Sequence, residues 1–578
     1  MHADDAGVAV AAAPTASLPV ARSRSALTLF LVTALITVAI LFWMVSVRSG
    51  SGLMVPAAPI FLYLLFSLDY IAAMCALLIV VIAVLVPGTL PFQAWLRWLG
   101  SRPMLVSAVV TVMLCLGTLT VYHNFPLSMD EYAPLFQSKV FASGHLTGHF
   151  PPELLDWLIV SGFQNYFLHV SRLTGEVASS YWPGHALLMT PFTLLGIPWA
   201  LNPVLSGLSL IVMHRLALHL FKDVEAAGLV LLLTIASPVF LANGISYYSM
   251  TAHALATVVY AWLLLGGPLT PKRLVLAGLV GSLALTLHNP VPHLLIAIPF
   301  GLWVISRENG VRNALWMLAG YLPLCLVLGV GWFFFIDGLA QQGTQPNEVA
   351  SLTGTGRVAS FFQLPTERVL VYRIAGMIKL WLWAVPGLLV LACIGAWHWR
   401  RNTLVRLLTA AVILTIGGYL LIWPDQGHGW GFRYFHQVWL ALPLLGAAAL
   451  ARTPASGNVA LTQDDNLRTY VVACALLSLA LGTALRACQI SNFMNEHLAQ
   501  LPEAPSAGKR VMFIDTSYGF YDVDLVQNDP FLGGDEVRMI SRDPEANASI
   551  MRKYFPGYRK IRAGENGEVW VETSGNPR

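Results

Sequence analysis

Two adjacent carboxylates, Asp130 and Glu131, stand in the stretch SMDEYAPLFQSKVFASG, Ser128 to Gly144, shortly after an apolar run. Two roles suit them. A carboxylate at a membrane boundary can take the proton of an attacking hydroxyl as a general base. Adjacent acids also raise one another's pKa, which brings such a base nearer to working pH. The structural alternative is a helix cap. Ser128-x-x-Glu131 matches a capping box, Tyr132, Leu135, Phe136 and Val140 follow helical spacing, and Gly144 is a plausible stop. With Ser128 as cap, however, Pro134 falls in the second turn, where it removes a donor and clashes with the preceding turn. A helix starting nearer Pro134 fits better and leaves the two acids in the entry turn, facing a ligand. On residue chemistry alone, cap and catalytic base both stand.

The elements that position this stretch are membrane spans. Of 578 residues, 56% are hydrophobic and only 11% charged, and the mean hydropathy is +0.65. A soluble domain carries about 25% charged residues, so the fold class is an all-α polytopic membrane protein. The net charge of +4 comes without a basic block, which excludes nucleic acid as a partner. Cys75, Cys115, Cys325, Cys393, Cys474 and Cys488 form no CxxC and read as small buried apolar residues.

Apolar runs place helices near 26–47, 57–87, 103–121, 200–221, 225–242, 251–268, 273–289, 290–306, 314–336, 376–397, 404–423, 434–451 and 467–487. At about 20 residues per span this is about thirteen transmembrane helices, with 57–87 either one helix or two. Residues 1–25 read as a disordered cytoplasmic tail. The run that follows is too long for a signal-peptide core and reads as a retained first helix.

Arg22, Arg24, Arg97, Arg102, Lys222, Lys272, Arg273, Arg307, Arg312, Arg400, Arg401, Arg406 and Arg452 fall on alternate connections. The positive-inside rule puts these in the cytoplasm, provided 57–87 is one helix. The other face then carries a first loop at 122–183, a second at 337–373 and a domain at 492–578. The last contains the strand-like stretches KRVMFIDTS, EVRMISR and GEVWVETS and reads as a small α/β domain. This makes the chain a multi-pass protein of the inner membrane, with its C-terminal domain outside.

The pattern of an apolar helix, a short DE before an aromatic, an amphipathic helix and a Gly resembles the first outer loop of the GT-C glycosyltransferases. YWPGHALLMTPFTLLGIP, Tyr181 to Pro198, is similar to that family's surface segment, and GHGWGFRYFHQVWLALPLL, Gly427 to Leu445, to its late outer loop. The resemblance covers roughly residues 100–490 and includes the protein mannosyltransferases and aminoarabinose transferases. It implies a polyprenyl-phosphate-linked sugar donor and a glycolipid, glycan or protein acceptor. Asp130 would be the base, and Glu131 a second candidate or an acceptor-orienting group. The extra N-terminal helices and the C-terminal domain depart from the pattern and leave the acceptor open.

Such a donor calls for a cation on the departing phosphate. Arg433 is the leading candidate, because Gly427, Gly429 and Gly431 let the backbone approach a ligand, with His428 and His436 flanking it. The alternative is an interfacial anchor beside Trp423, Trp430 and Tyr434. Further substrate-binding candidates are Tyr132, Lys139, Tyr181, His185, Tyr247, His288 and Asn289. A turn between spans competes for His288 and Asn289, an aromatic belt for Tyr247 and Tyr248, and a solvated face for Lys139 and Arg172. No cofactor is certain. His145, His149, His169 and His185 leave a divalent cation open, though no pair has a standard ligand spacing. Competing classes are a polysaccharide polymerase or ligase and a lipid-linked glycan transporter. Asp69 and His253 are the main intramembrane groups such a transporter would use.

Overall fold

The computed structural model describes residues 23–50, 60–87, 90, 92–342, 364–422, 429–451, 464–505, 508–517 and 521–573. Most of the expected tail, most of the second loop, and Trp423, Gly427, His428 and Arg452 lie outside the described residues.

Each of the thirteen apolar runs is mainly helical where described. Seven helices are long and apolar enough to cross a membrane: Arg24–Val47, Ile60–Leu85, Pro103–Thr120, Pro198–Phe221, Gly310–Gln341, Thr403–Leu420 and Asp465–Leu498. Val224–Ile235 and Pro238–Gly244, bent by 65°, make an eighth if joined, and Met250–Leu265, Val291–Ile305 and Leu388–His398 are apolar but shorter. The full-length spans among the described residues are therefore fewer than the expected thirteen. The reason is local. Pro238 opens a new helix after Ser237, and Pro386 with Gly387 (φ +86°) separates Glu367–Leu382 from Leu388–His398. The ambiguous run at 57–87 is one helix, with a π-helical turn at Leu65–Asp69.

The outermost helices leave large apolar side chains uncovered, Phe42 at 75% and Leu85 at 75% exposure. Such surface suits lipid. Cys393 and Cys488 are exposed as well, and Cys474 is the buried one, so the reading of all six cysteines as buried is corrected.

Chain direction sorts the two ends of the bundle. Arg97 and Arg468 both pair with Glu225, at 3.4 and 2.6 Å, and the ring of Trp399, beside Arg400, meets that of Phe221, beside Lys222. Arg97 and the helix ends beside Lys222 and Arg400 thus lie at one end of the bundle, and the first loop packs with the C-terminal domain. Between the ends, Asp69 accepts from Lys379 (2.7 Å), Arg486 (2.7 Å) and the Trp383 indole (2.8 Å), all almost fully buried. This triad ties together three segments far apart in sequence.

The first loop and the C-terminal domain share one hydrophobic core, with Phe136, Phe150, Trp157 and Val177 against Val511, Phe513, Met539 and Met551. The loop holds a three-stranded sheet that the sequence reading missed: β1 (Gly148–His149), β2 (Leu168–Val170) and β3 (Glu176–Ser179), in order β1-β3-β2. The domain holds the three expected strands, β4 (Arg510–Ile514), β5 (Glu536–Ile540) and β7 (Gly567–Glu572). It adds β6 (Tyr558–Gly564), whose charged, exposed residues hide its strand character. The sheet order is β5-β4-β7-β6, with β4 and β5 parallel. Parallel neighbours need a crossover, and this one runs down onto the first loop: Asn528 exchanges hydrogen bonds with the Tyr132 hydroxyl at 2.6 and 2.8 Å, and Gln527 donates to Pro126 O at 2.7 Å.

Candidate active site

The acid-bearing helix spans Met129–Ala142 and does not begin nearer Pro134 as expected. The N–H groups of Glu131 and Tyr132 already bond to Ser128 O, at 2.9 Å each. Pro134 costs this helix only the N–H that would have reached Asp130 O. The Ser128 hydroxyl pairs with the Tyr248 hydroxyl (3.0 Å) instead of capping. Glu131 reaches back in its place and accepts from the Leu127 N–H at 2.9 Å.

The two acids have different surroundings. Glu131 is fully buried and also accepts from the Tyr122 hydroxyl (3.0 Å) and the Tyr247 N–H (2.8 Å). Burial pushes its pKa up to about 7, against these hydrogen bonds and the charge of Arg433. Glu131 is thus held by three internal donors, from Tyr122, Leu127 and Tyr247. Asp130 is 8% exposed; its Oδ2 meets Arg433 at 2.7 Å, and its Oδ1 accepts from the Tyr181 hydroxyl.

Arg433 opens a short 3-10 turn, Arg433–Phe435, and is 5% exposed, which overturns the reading of it as an interfacial anchor. Gly429 (φ +114°) and Gly431 (φ +78°) bend the chain into it; a Cβ on Gly429 would meet the Arg433 side chain at 3.0 Å. The guanidinium lies 4.2 Å over the Tyr248 ring. Burial works against its charge, but Asp130 outweighs this and leaves Arg433 more firmly protonated than usual. The bend at Ser237–Pro238 carries the chain back so that Tyr247 and Tyr248 pass beneath both acids. Both tyrosines are buried, so they are not a belt.

The other candidates divide. The His288 ring lies 4.2 Å from that of Tyr181, and burial pushes its pKa down to about 4 against the pull of Asp130, which keeps it neutral. His185 bonds the Tyr247 carbonyl at 3.1 Å and so supports Glu131 indirectly. The Asn289 Oδ1 accepts from Val291 N (3.1 Å) in the turn before the following helix. Tyr132 is bound to Asn528, Lys139 lies in the last turn of its helix, and Arg172 pairs with Asp156. His436 is buried beside Trp439. His428 lies outside the described residues. Among the described residues, no three His, Cys, Asp or Glu side chains converge to hold a metal ion.

Three contributors were not singled out from sequence: Tyr122, Asp524 and Tyr521. Tyr122 follows a helix exit and is nine residues from Glu131, a signal that was present. Asp524 and Tyr521 come from the C-terminal domain, and no local pattern links them to the first loop.

No protein-family model and no curated protein matches the chain. Among solved structures, it is similar to ArnT from Cupriavidus metallidurans bound to undecaprenyl phosphate, with 12% identity, a TM-score of 0.48, and coverage of 82% of this chain and 99% of that one. The apo state of the same protein gives 13% identity, a TM-score of 0.46 and the same coverage.

Proposed function

We propose that this chain is a membrane glycosyltransferase of the GT-C type, moving a sugar from a polyprenyl-phosphate donor to an acceptor hydroxyl on the outer face of the membrane. One observation carries the reading: a buried carboxylate–guanidinium pair, Asp130–Arg433, at the end of an apolar helix bundle that is opposite the basic connections. A lipid phosphate is found at the ends of membrane-spanning helices, and the positive-inside rule favours this end as the outer one.

The chemistry follows from the pair. In the resting site Arg433 neutralises Asp130. A donor phosphate entering the site is a competing partner for the guanidinium fork. Once Arg433 turns to the phosphate, Asp130 loses the positive charge paired with its carboxylate and becomes a stronger base. The acceptor oxygen then attacks the anomeric carbon and its proton passes to Asp130. The bond from that carbon to the phosphate oxygen breaks, and Arg433 stabilises the charge left on the lipid phosphate. Tyr248 beneath the guanidinium and neutral His288 beside Tyr181 hold this geometry.

The transporter reading loses one of its two intramembrane groups, since Asp69 is locked between Lys379 and Arg486. The test is mass spectrometry of surface glycolipids and glycoproteins from cells lacking the protein. A missing sugar unit, restored by the wild-type gene and not by Asp130→Asn, is expected. Unchanged glycan masses would sink the proposal.

A further inference from the structure

The crossover between β4 and β5 carries a 3-10 turn, Asp522–Leu525, and just after it Gln527 bonds Pro126 O and Asn528 bonds the Tyr132 hydroxyl of the acid-bearing helix. Asp524 in this turn is 4% exposed. The backbone N–H of Met129, first residue of that helix, interacts with its carboxyl, and Asp130 and Glu131 are close enough for their charges to act on it. Its Oδ1 has no hydrogen-bond partner among the described residues. Tyr521, one turn earlier, is within electrostatic reach of Tyr248, Arg433 and Asp130.

A buried carboxyl oxygen without a partner is destabilising. Packing does not require an acid here, since an apolar side chain fills the same space without that cost. Beside a phosphate-binding arginine, the polar groups nearest to the lipid phosphate are the hydroxyls of the sugar it carries. We propose that the C-terminal domain supplies a sugar-binding residue to the site: Asp524, whose free Oδ1 hydrogen-bonds a hydroxyl of the lipid-linked sugar. This rests on the donor-phosphate reading of Arg433 and deepens it by naming a specificity determinant from outside the transmembrane bundle.

The protonation state sharpens the proposal. Burial first, then the charges of Asp130 and Glu131, hold the Asp524 carboxyl well above the usual carboxylate range, against the Met129 N–H. With a proton on it, the Asp524 carboxyl accepts from Met129 through one oxygen and has an O–H to donate through the other. Asparagine reproduces both halves: its carbonyl accepts from Met129 N–H, and its amide donates to the sugar oxygen. Alanine reproduces neither.

The test uses the full chain in nanodiscs and two kinds of probe: undecaprenyl phosphate alone, and undecaprenyl phosphate carrying each of a panel of neutral hexoses and pentoses. The wild type is expected to bind at least one sugar-bearing lipid about tenfold more tightly than the bare lipid, the scale of one buried hydrogen bond. Asp524→Ala should erase that gap and bind the bare lipid as the wild type does, which also shows that the site remains folded. Asp524→Asn should keep most of the gap. The proposal is overturned if the alanine variant keeps the gap, if it loses affinity for bare and sugar-bearing lipid alike, or if the wild type shows no gap for any sugar. Failure of the underlying donor reading gives a different result: bare lipid bound equally by wild type and Arg433→Ala.

Discussion

Asp130 and Arg433 are 303 residues apart in the chain and meet at 2.7 Å, both almost fully buried. Removing one partner of such a pair leaves the other charge uncompensated, so the arrangement is held only where something else recovers its cost. In the proposed function that recovery comes from a donor phosphate taking the guanidinium and an acceptor hydroxyl giving its proton to the carboxylate.

Asp130→Asn keeps the shape of the side chain and removes the base. Sugar transfer by purified enzyme should fall by about 10²–10⁴-fold while donor-lipid binding persists. Near-normal turnover would remove Asp130 from the chemistry.

Glu131 predicts a pH dependence of stability. Its folded-state pKa is raised from the ordinary 4.5 to about 7. The folded chain therefore holds a proton that the unfolded chain has already lost, and stability declines as pH rises from about 4.5 to about 7, then levels. Thermal unfolding of the full chain in nanodiscs between those values should show this fall in the wild type and a flatter profile in Glu131→Gln. Identical slopes would assign the fall to other groups.

The Asp69 triad is a structural lock. Asp69→Ala strands Lys379 and Arg486 as buried cations and should cost about 3–5 kcal/mol, seen as a lower unfolding midpoint and poor yield. A variant as stable as the wild type would contradict the lock.

Orientation is tested by single-cysteine labelling in a background lacking the six native cysteines. Exposed positions Ser143 and Glu545 should label from outside intact cells, and Lys272 and Arg401 only after permeabilisation. Outside labelling at Arg401 would place the acid pair on the wrong face.

Much of this was legible in the sequence. The apolar runs are long enough to register one by one, and alternating cations sort the ends, because bilayer thickness and loop charge act locally along the chain. Asp130 and Arg433 stood out through short-range context: an acid pair before an amphipathic helix, and an arginine in a glycine-rich turn. What could not be read was long-range. The Lys379 and Arg486 partners of Asp69 sit in apolar helices with no local mark. Tyr247 and Tyr248 look like belt residues until the Pro238 bend turns them inward. The descent of Asp524 onto Met129 depends on how a separate domain docks.

The central claim is that Arg433 exchanges Asp130 for a lipid phosphate, and the affinity of the full chain for undecaprenyl phosphate in nanodiscs tests it most directly. Arg433→Ala should weaken binding at least about tenfold, Arg433→Lys should weaken it less, and Asp130→Asn, which frees the guanidinium, should bind as tightly as the wild type or more so. Wild-type affinity in Arg433→Ala would contradict the account.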